Sequence, residues 1–439
     1  MYKLSLISAL IALAVIFTAC PPAQQDIDDP MNTNTEEEKE SITYFQRGGW
    51  CGFLYIDSTN INNNLPFTFT VKYEYLSTRK DTFSYVFMIR NGDERIEVRD
   101  IVVKNDSVTI TLPVFGSQLI GKMTETTIEG YWYNYNKGNN YKIPFKAYRD
   151  KTSRRFVSEP NNTANDISGN RKTTFSPGTE DAYPALAIFE QRRGRRNGNL
   201  KGTFLTETGD YRYLEGFFDG NSLALSAFDG AHAFLFKGKF GAEGKIIGEF
   251  WSGSHWYEKW EASQDDDFEL TDMKTLTKLQ ASKFNFSLPN EQGEMISLSD
   301  ERYKDKVVIV QILGTWCPNC MDETRDLVKL YETYKDQGLE IIGIDFEPRD
   351  DKELFQKNIQ RLKADLGVEY EMVFGGKSNK KEAAKVLPAL EHIMSYPTTL
   401  FIDRSGKVQE IHTGYYGPST GEYHTKLQNE IQDLISNLL

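Results

Sequence analysis

The sequence predicts a multidomain protein with an all-β antiparallel first half, folded as a barrel or sandwich, and an α/β C-terminal domain. From about Gln46 to Glu261, apolar residues recur at every second position and are rich in Phe, Tyr and Trp, which is typical of strands with one buried face. After residue 279, apolar runs alternate with helix-like runs, which favours an α/β fold with a mostly parallel centre. With 439 residues, the chain is long enough for two or three domains.

Residues 1–19 have the pattern of a secretion signal. A lysine near the start precedes the apolar run Leu4–Phe17, which is shorter than a typical membrane-spanning helix. The segment resembles a bacterial lipoprotein signal, although Phe17 stands where leucine is usual. The resemblance implies that Cys20 is the lipidated first residue of the mature protein, which would attach it to a membrane.

Residues 20–44 are expected to form a disordered tether. Seven acidic residues and a single lysine occur between Pro21 and Ser41, without apolar periodicity, so this stretch cannot bury enough surface to fold. An acidic run after a lipidated cysteine resembles the surface-export signals of Bacteroidetes lipoproteins. We therefore expect the protein in the cell envelope. The sequence does not decide between a location facing the periplasm and one on the outer-membrane surface.

The overall charge argues against one class of partner. The formal net charge is −12 at pH 7, whereas binding to nucleic acid phosphates requires a basic face. We therefore expect no nucleic acid partner.

Residues 45–149 and 180–264 are predicted to be two related β units, joined by the polar segment 150–179. Asn91-Gly92 predicts a hairpin between the strands Phe83–Arg90 and Arg95–Val103, because this dipeptide suits tight two-residue turns. Such short strands and turns are typical of an antiparallel barrel or sandwich.

A faint internal repeat supports the two units. Ser107–Ile110 aligns with Ser222–Leu225, and Phe145–Ala147 aligns with Trp260–Ala262, at the same spacing along the chain. The repeat fits either two small barrels or two halves of one barrel. The region could be a ligand-binding cup or a passive module that positions the other domain. Because aromatic interiors are usually core, we favour the passive interpretation.

Three side chains of the β region invite a functional interpretation. His232 and His255 could bind a metal, but no cysteine or close third histidine accompanies them, so we predict structural histidines and no metal site. Cys51 could serve as a docking thiol in a mixed disulfide, but we favour a small buried apolar side chain.

A Cys-x-x-Cys motif follows the acidic linker 265–278 and a buried strand. The apolar run Val307–Leu313 precedes Cys317 and Cys320, and the helix-like run Met321–Lys335 follows. A cysteine at a helix start faces unpaired N–H groups and the positive end of the helix dipole, which favour its thiolate. Half of a zinc site is the alternative, but a second Cys or His pair does not follow. The spacing therefore predicts a redox-active dithiol.

Residues 279–439 resemble the TlpA-like disulfide reductases, which have a thioredoxin fold. The matching motifs are Trp316-Cys317-Pro318-Asn319-Cys320, the later Glu323, and Ser395-Tyr396-Pro397-Thr398 before a strand. The resemblance implies substrate contacts by Trp316, Tyr396 and Pro397, and a cis bond before Pro397 that faces the dithiol. From sequence alone, Pro397 could equally be an ordinary turn proline.

Gln311 and Glu323 bear on proton transfer. Gln311 stands where many thioredoxins carry a buried aspartate, and a neutral amide cannot move protons. Glu323 follows Cys320 by one helical turn, so it could accept the Cys320 proton. The alternative is a first-turn glutamate that only complements the helix dipole.

The remaining elements of residues 279–439 follow from their apolar periodicity. Strands are expected at Leu339–Phe346 and Thr398–Asp403, and helices at Asp351–Leu366, Asn379–Leu387 and Tyr423–Leu438.

The leading hypothesis is an exported, membrane-anchored thiol–disulfide oxidoreductase, in which Cys317 attacks a substrate disulfide and Cys320 resolves the intermediate. Disulfide-containing proteins and an upstream thiol reductant are the expected partners, and no cofactor is expected besides the Cys317–Cys320 disulfide. The β region resembles, more loosely, barrel modules that precede thioredoxin domains in Bacteroidetes lipoproteins. The alternatives are a ligand-binding β-barrel lipoprotein with an accessory redox domain, and a thiol peroxidase.

Overall fold

The computed structural model describes residues 44–77, 82–151, 166–192, 198–265 and 267–439. The predicted signal segment, Cys20 and the tether up to residue 43 lie outside these residues, as does part of the predicted connection 150–179. Among the residues described, no helix combines the length and apolar character needed to cross a membrane.

Within the described residues, the first sheet contains nine antiparallel strands. They are β1 (Gly48–Leu54), β2 (Leu65–Tyr75), β3 (Phe83–Asn91), β4 (Glu94–Val98), β5 (Ile101–Lys104), β6 (Ser107–Leu112), β7 (Ser117–Met123), β8 (Thr127–Asn134) and β9 (Lys142–Arg149). Their order is β4-β3-β2-β1-β9-β8-β7-β6-β5. In β6, Val108, Ile110 and Leu112 are buried and the residues between them are half-buried, as the two-residue period predicts.

The single strand predicted at Arg95–Val103 is wrong. Glu94–Val98 pairs with β3, whereas Ile101–Lys104 pairs with β6. The chain passes at Arg99-Asp100 from one edge of the first sheet to the other. The sequence pattern continues across this point because the residues on both sides are extended and face the same core.

The second sheet also has nine strands over the part of the chain that the structure describes, and it closes on itself. They are β10 (Gly169–Phe175), β11 (Tyr183–Gln191), β12 (Asn199–Thr206), β13 (Gly209–Asp210), β14 (Leu214–Phe218), β15 (Ser222–Phe228), β16 (Ala233–Phe240), β17 (Ile246–Ser252) and β18 (Trp256–Gln264). Their order is β11-β10-β18-β17-β16-β15-β14-β12-β13. Because β11 also pairs with β12, the sheet forms a barrel.

The sequence repeat corresponds to two separate sheets. Its first pair of segments lies in β6 and β15, and its second pair lies in β9 and β18. Of the two arrangements considered from sequence, the structure therefore has two barrel-like units, each with its own aromatic core.

Phe228 joins the two cores. It belongs to β15 of the second sheet, yet its ring lies 4.6 Å from the Phe67 ring and 5.2 Å from the Trp132 ring of the first sheet. Phe228 is fully buried, and burial of a Phe side chain contributes about 1.5–3 kcal/mol. The two units therefore share apolar surface.

The segment predicted as a connection, 150–179, contains strand β10. This strand pairs with β11 on one side and β18 on the other, so the second unit begins by Gly169. Its residues Asn170-Arg171-Lys172-Thr173-Thr174 are polar, but Arg171 and Thr173 are buried. Pairing on both edges overrides the low strand propensity of such residues.

The C-terminal domain has the predicted α/β fold. Its elements are β19 (Ser287–Pro289), β20 (Met295–Ser297), β21 (Val307–Leu313), α1 (Pro318–Tyr334), β22 (Leu339–Glu347), α2 (Lys352–Leu366), β23 (Glu371–Lys377), α3 (Lys380–Val386), β24 (Thr398–Ile402), β25 (Val408–Thr413) and α4 (Glu422–Leu438). The main sheet has the order β23-β22-β21-β24-β25. The central strand β21 is buried at every position and is parallel to β22. Its C-terminal end leads directly to the dithiol.

Candidate active site

The two cysteines lie at the start of helix α1 and form a disulfide, with Cα atoms 5.2 Å apart. Cys317 is the N-cap residue, and its Sγ accepts a hydrogen bond from the Cys320 backbone N–H at 3.2 Å. The helix begins at Pro318, earlier than the predicted Met321, because Cys317 caps it and proline is tolerated in the first turn. Cys317 is 7% exposed and Cys320 is 0% exposed, so Cys317 is the more accessible cysteine.

Tyr396 lies beside Cys317, and both Trp316 and Pro397 adjoin Tyr396. The Tyr396–Pro397 peptide bond is cis, as the resemblance implies, and the Tyr396 carbonyl oxygen lies 3.5 Å from Cys317 Sγ. The Trp316 and Tyr396 rings are 5.6 Å apart in an edge-on arrangement. Trp316 is held by a hydrogen bond from its Nε1 to the Phe346 carbonyl oxygen, at 2.9 Å. The structure thus brings these predicted site residues together.

Glu323 lies in a buried hydrogen-bond network beneath the dithiol. Its carboxylate accepts hydrogen bonds from Gln311 Nε2 and Thr399 Oγ1, each at 2.8 Å. Gln311 Nε2 also lies 3.3 Å from the Cys320 carbonyl oxygen, and Gln311 Oε1 accepts a hydrogen bond from Thr324. Gln311 therefore links Glu323 to the helix turn that carries Cys320.

The environment of Glu323 suits proton transfer near neutral pH. Burial raises the pKa of the Glu323 carboxyl to about 7, although the two hydrogen bonds act to lower it. A pKa close to the working pH lets a carboxyl both accept and return a proton. The alternative role, a first-turn glutamate that only complements the helix dipole, does not fit, because α1 begins at Pro318 and Glu323 lies beyond its first turn.

Two further buried acids, Asp345 and Glu347, were missed from the sequence. Asp345 Oδ1 accepts a hydrogen bond from the Thr315 N–H, and Glu347 Oε1 accepts one from the Thr315 hydroxyl. Burial and then the charge of Glu347 raise the pKa of Asp345 well above its usual value. The signal in the sequence is two acids at alternate positions ending an apolar strand, which places both on one face. Because β22 is parallel to β21, that end of the strand lies beside the dithiol loop.

A hairpin of the second barrel lies against the redox domain. We call Thr206–Asp210 the covering hairpin; its ends pair through β12 and β13. Gly209 abuts Asn319, so that a methyl group at Gly209 would overlap the Asn319 side-chain amide. Asp210 accepts hydrogen bonds from the Gly417 N–H at 2.8 Å and the Ser419 hydroxyl at 2.7 Å.

Arg212, just after the covering hairpin, forms a buried ion cluster with three carboxylates. Its guanidinium contacts Asp322 in the first turns of α1, Glu94 of the first sheet at 2.7 Å, and Asp229 of its own sheet at 3.3 Å. Arg212 is 4% exposed. The cluster connects both β units to the helix that carries the dithiol.

The two histidines of the β region contact polar side chains of the β units. His232 Nδ1 is 3.3 Å from Asp229 Oδ2, and His255 lies 3.1 Å from both Lys137 Nζ and the Tyr141 hydroxyl. In the part of the chain that the structure describes, no three His, Cys, Asp or Glu side chains are grouped to hold a metal ion.

Cys51 is fully buried in β1. Its burial fits the structural interpretation rather than a docking thiol. Cys20, the predicted lipidation site, lies outside the described residues.

The C-terminal region is similar to proteins of known families. Residues 280–411 match the AhpC/TSA family. Over 142 residues the chain is 30% identical to "Thiol-disulfide oxidoreductase ResA" of Halalkalibacterium halodurans, covering 32% of this chain and 72% of the relative. Over 164 residues it is 35% identical to "Glutathione peroxidase" of Lactococcus lactis, covering 35% of this chain and 98% of the relative. A solved thiol-disulfide oxidoreductase from Bacteroides fragilis matches with 24% identity, a TM-score of 0.26, and coverage of 34% of this chain and 99% of that one.

Proposed function

Because the chain belongs to the thioredoxin-like thiol–disulfide oxidoreductases, we propose that it acts as a protein disulfide reductase of the cell envelope. One observation carries the proposal. Cys317, the more exposed cysteine, caps helix α1 because its Sγ accepts the Cys320 N–H. This hydrogen bond and the positive end of the helix dipole both stabilise negative charge on the sulfur, so Cys317 is the attacking thiolate in the reduced protein.

The reaction consists of two exchanges. The Cys317 thiolate attacks one sulfur of the substrate disulfide, forms a mixed disulfide and releases the other substrate sulfur as a thiolate, which takes up a proton. Cys320, as a thiolate, then attacks the Cys317 sulfur. The Cys317–Cys320 disulfide forms, and the substrate leaves as a dithiol with two electrons and two protons gained. An upstream thiol reductant restores the enzyme's dithiol, so the cysteine pair is the only redox centre that this cycle requires.

Glu323 takes the Cys320 proton in this scheme. It lies one helical turn after Cys320 and is tied to the Cys320 carbonyl through Gln311. The surroundings of Cys320 also support electron flow from the enzyme to the substrate. Cys320 is fully buried, and Gln311 links its helix turn to the Glu323 carboxyl. Burial and a nearby carboxylate disfavour the Cys320 thiolate, which makes the dithiol a better electron donor.

Trp316, Tyr396 and Pro397 bind the substrate chain. The Tyr396 carbonyl beside Cys317 Sγ offers a backbone acceptor to an extended segment, as in strand addition. The protein is proposed to be exported and anchored through lipidated Cys20, with the acidic tether holding the folded region off the membrane. These last proposals rest on the sequence of the first 44 residues.

Reduction of a peroxide is a second candidate, favoured by the similarity to a protein named glutathione peroxidase. In that case Cys317 would be oxidised by the peroxide and Cys320 would displace water to form the disulfide. Consumption of hydrogen peroxide by the full chain, with dithiothreitol as reductant, tests this candidate.

The proposed function is tested by reduction of insulin disulfides with dithiothreitol as electron donor. The full chain is expected to accelerate the reaction, and Cys317→Ser to abolish the acceleration. Cys51→Ala is the matched control, because Cys51 is buried in the first sheet. No acceleration by the wild-type protein would refute the proposal.

A further inference from the structure

The covering hairpin contacts two segments that bound the dithiol, the start of helix α1 and the loop that follows β25. Gly209 abuts Asn319 of the Cys-x-x-Cys motif, and a side chain on Gly414 would come within 2.6 Å of the Thr208 backbone. Gly414 in turn donates its N–H to the Pro397 carbonyl oxygen at 2.8 Å. With the Asp210 hydrogen bonds to Gly417 and Ser419, these contacts fix the hairpin against the face of the redox domain that contains the cis-proline loop.

A cleft lies between the covering hairpin and the dithiol loop. It encloses about 380 Å³ and is lined by the hairpin together with Tyr183, Pro184, Tyr211, Asn319 and Met394. This volume is near the lower end of the range for small-ligand pockets, about 300–1,000 Å³. It can take one or two side chains of an extended segment, but not a folded domain.

The position of the cleft relates it to the reacting sulfur. Asn319 separates the two cysteines together with Pro318, and Met394 lies just before Tyr396, whose carbonyl oxygen is 3.5 Å from Cys317 Sγ. A segment whose cysteine reacts with Cys317 therefore places the neighbouring side chain near this cleft.

Glu207 gives the cleft a negative charge. It occupies the turn of the covering hairpin and lines the cleft, and its side chain is half-buried. Within the described ranges, no lysine or arginine forms an ion pair with it. A partly buried carboxylate without a cation attracts a basic group in a bound segment and repels an acidic one.

Building on the reductase function above, we propose that the covering hairpin is one wall of the substrate cleft. Glu207 selects extended disulfide-bearing segments that carry a basic residue beside the reacting cysteine. The second barrel is then part of the specificity of the enzyme, rather than only a support for the redox domain.

The test uses two linear peptides with one disulfide each, identical except that arginine or glutamate flanks the cysteines. The full chain is reduced with dithiothreitol, freed of excess reductant and mixed with either peptide, and peptide thiols are counted after an alkylating quench. We expect the arginine peptide to react about fivefold faster than the glutamate peptide at low salt. Glu207→Gln should bring the ratio near one, and Glu207→Lys should invert it.

The matched control is Glu125→Gln, which removes an exposed turn glutamate from a hairpin of the first barrel and should leave the ratio unchanged. A wild-type ratio near one, or a ratio that survives Glu207→Lys, would overturn the inference while the reductase function stands. If the wild-type protein reduces neither peptide nor the small disulfide 5,5′-dithiobis(2-nitrobenzoate), the proposed function itself fails.

Discussion

Replacement of Glu323 by glutamine tests the buried proton site beneath the dithiol. Burial raises the pKa of Glu323 from 4.5 to about 7, a change of about 2.5 units, and each unit corresponds to about 1.4 kcal/mol. The folded protein holds this proton more tightly than the unfolded chain does. The contribution of Glu323 to stability is therefore most favourable below about pH 4.5 and falls by about 3 kcal/mol as the pH rises through 7.

Glu323→Gln keeps the shape of the protonated acid and cannot ionise. Its amide oxygen can accept from Gln311, while its amide nitrogen can donate to the Thr399 hydroxyl, which now rotates to accept. The variant should therefore lose this part of the pH dependence. Relative to wild type it should gain about 3 kcal/mol of unfolding free energy between pH 4.5 and pH 8.

Hydrogen exchange of the α1 and β21 amides in the oxidised protein measures this difference, because amides in these buried elements report on opening of the redox domain. Each sample is compared at matched pH, so that other titrating groups cancel between wild type and variant. The same variant should lose a rate inflection near pH 7 in insulin reduction, with a fall of about 100-fold or more. An identical pH dependence of opening in the two proteins would refute the assignment of a near-neutral pKa to Glu323.

Three further substitutions test the surrounding structure, each followed by urea unfolding. Arg212→Met leaves buried carboxylates without their cation and should lower the free energy of unfolding by about 3–5 kcal/mol. Arg99→Met breaks exposed ion pairs and should leave the free energy of unfolding nearly unchanged; equal losses for the two variants would contradict the cluster's role. Phe228→Ala should lower the free energy of unfolding by about 3–5 kcal/mol and destabilise both β units. Its control is Ile247→Ala, which changes a side chain that is 60% exposed and should be nearly neutral. Asp345→Asn should raise the free energy of unfolding more at pH 8 than at pH 4, because the raised pKa of Asp345 makes its ionisation costly in the folded state. An equal change at the two pH values would count against the raised pKa.

Local sequence patterns were sufficient to predict the dithiol, the strand before it and the glutamate one helical turn after it. Val307–Leu313 is a continuous apolar run, and the structure places strand β21 at those same residues. The Cys-x-x-Cys motif follows directly, so the strand-to-helix transition needs little information from elsewhere in the chain. Glu323 could be selected because its spacing from Cys320 is that of one helical turn.

Long-range contacts explain what the sequence could not predict. Gly209 and Arg212 carry no local signal for their contacts with Asn319 and Asp322, which are more than 100 residues away in the chain. Asp345 belongs to the site only because the parallel pairing of β22 with β21 places it beside Thr315. Strand β10 escaped prediction because its inward-facing residues include Arg171 and Thr173, whose burial depends on pairing with two other strands.

The most direct test of the central claim is covalent capture of a substrate by the Cys320→Ser variant. Cys317 would then attack a substrate disulfide without a resolving thiol, and the mixed disulfide should accumulate. After mixing with insulin, mass spectrometry of the non-reduced protein should show one insulin molecule attached through Cys317, because a single exchange opens one disulfide and the other interchain disulfide still joins the two insulin chains. The Cys317→Ser variant should show little or none, because the remaining Cys320 is fully buried. Capture through Cys320 instead, or no capture by either variant, would contradict the account.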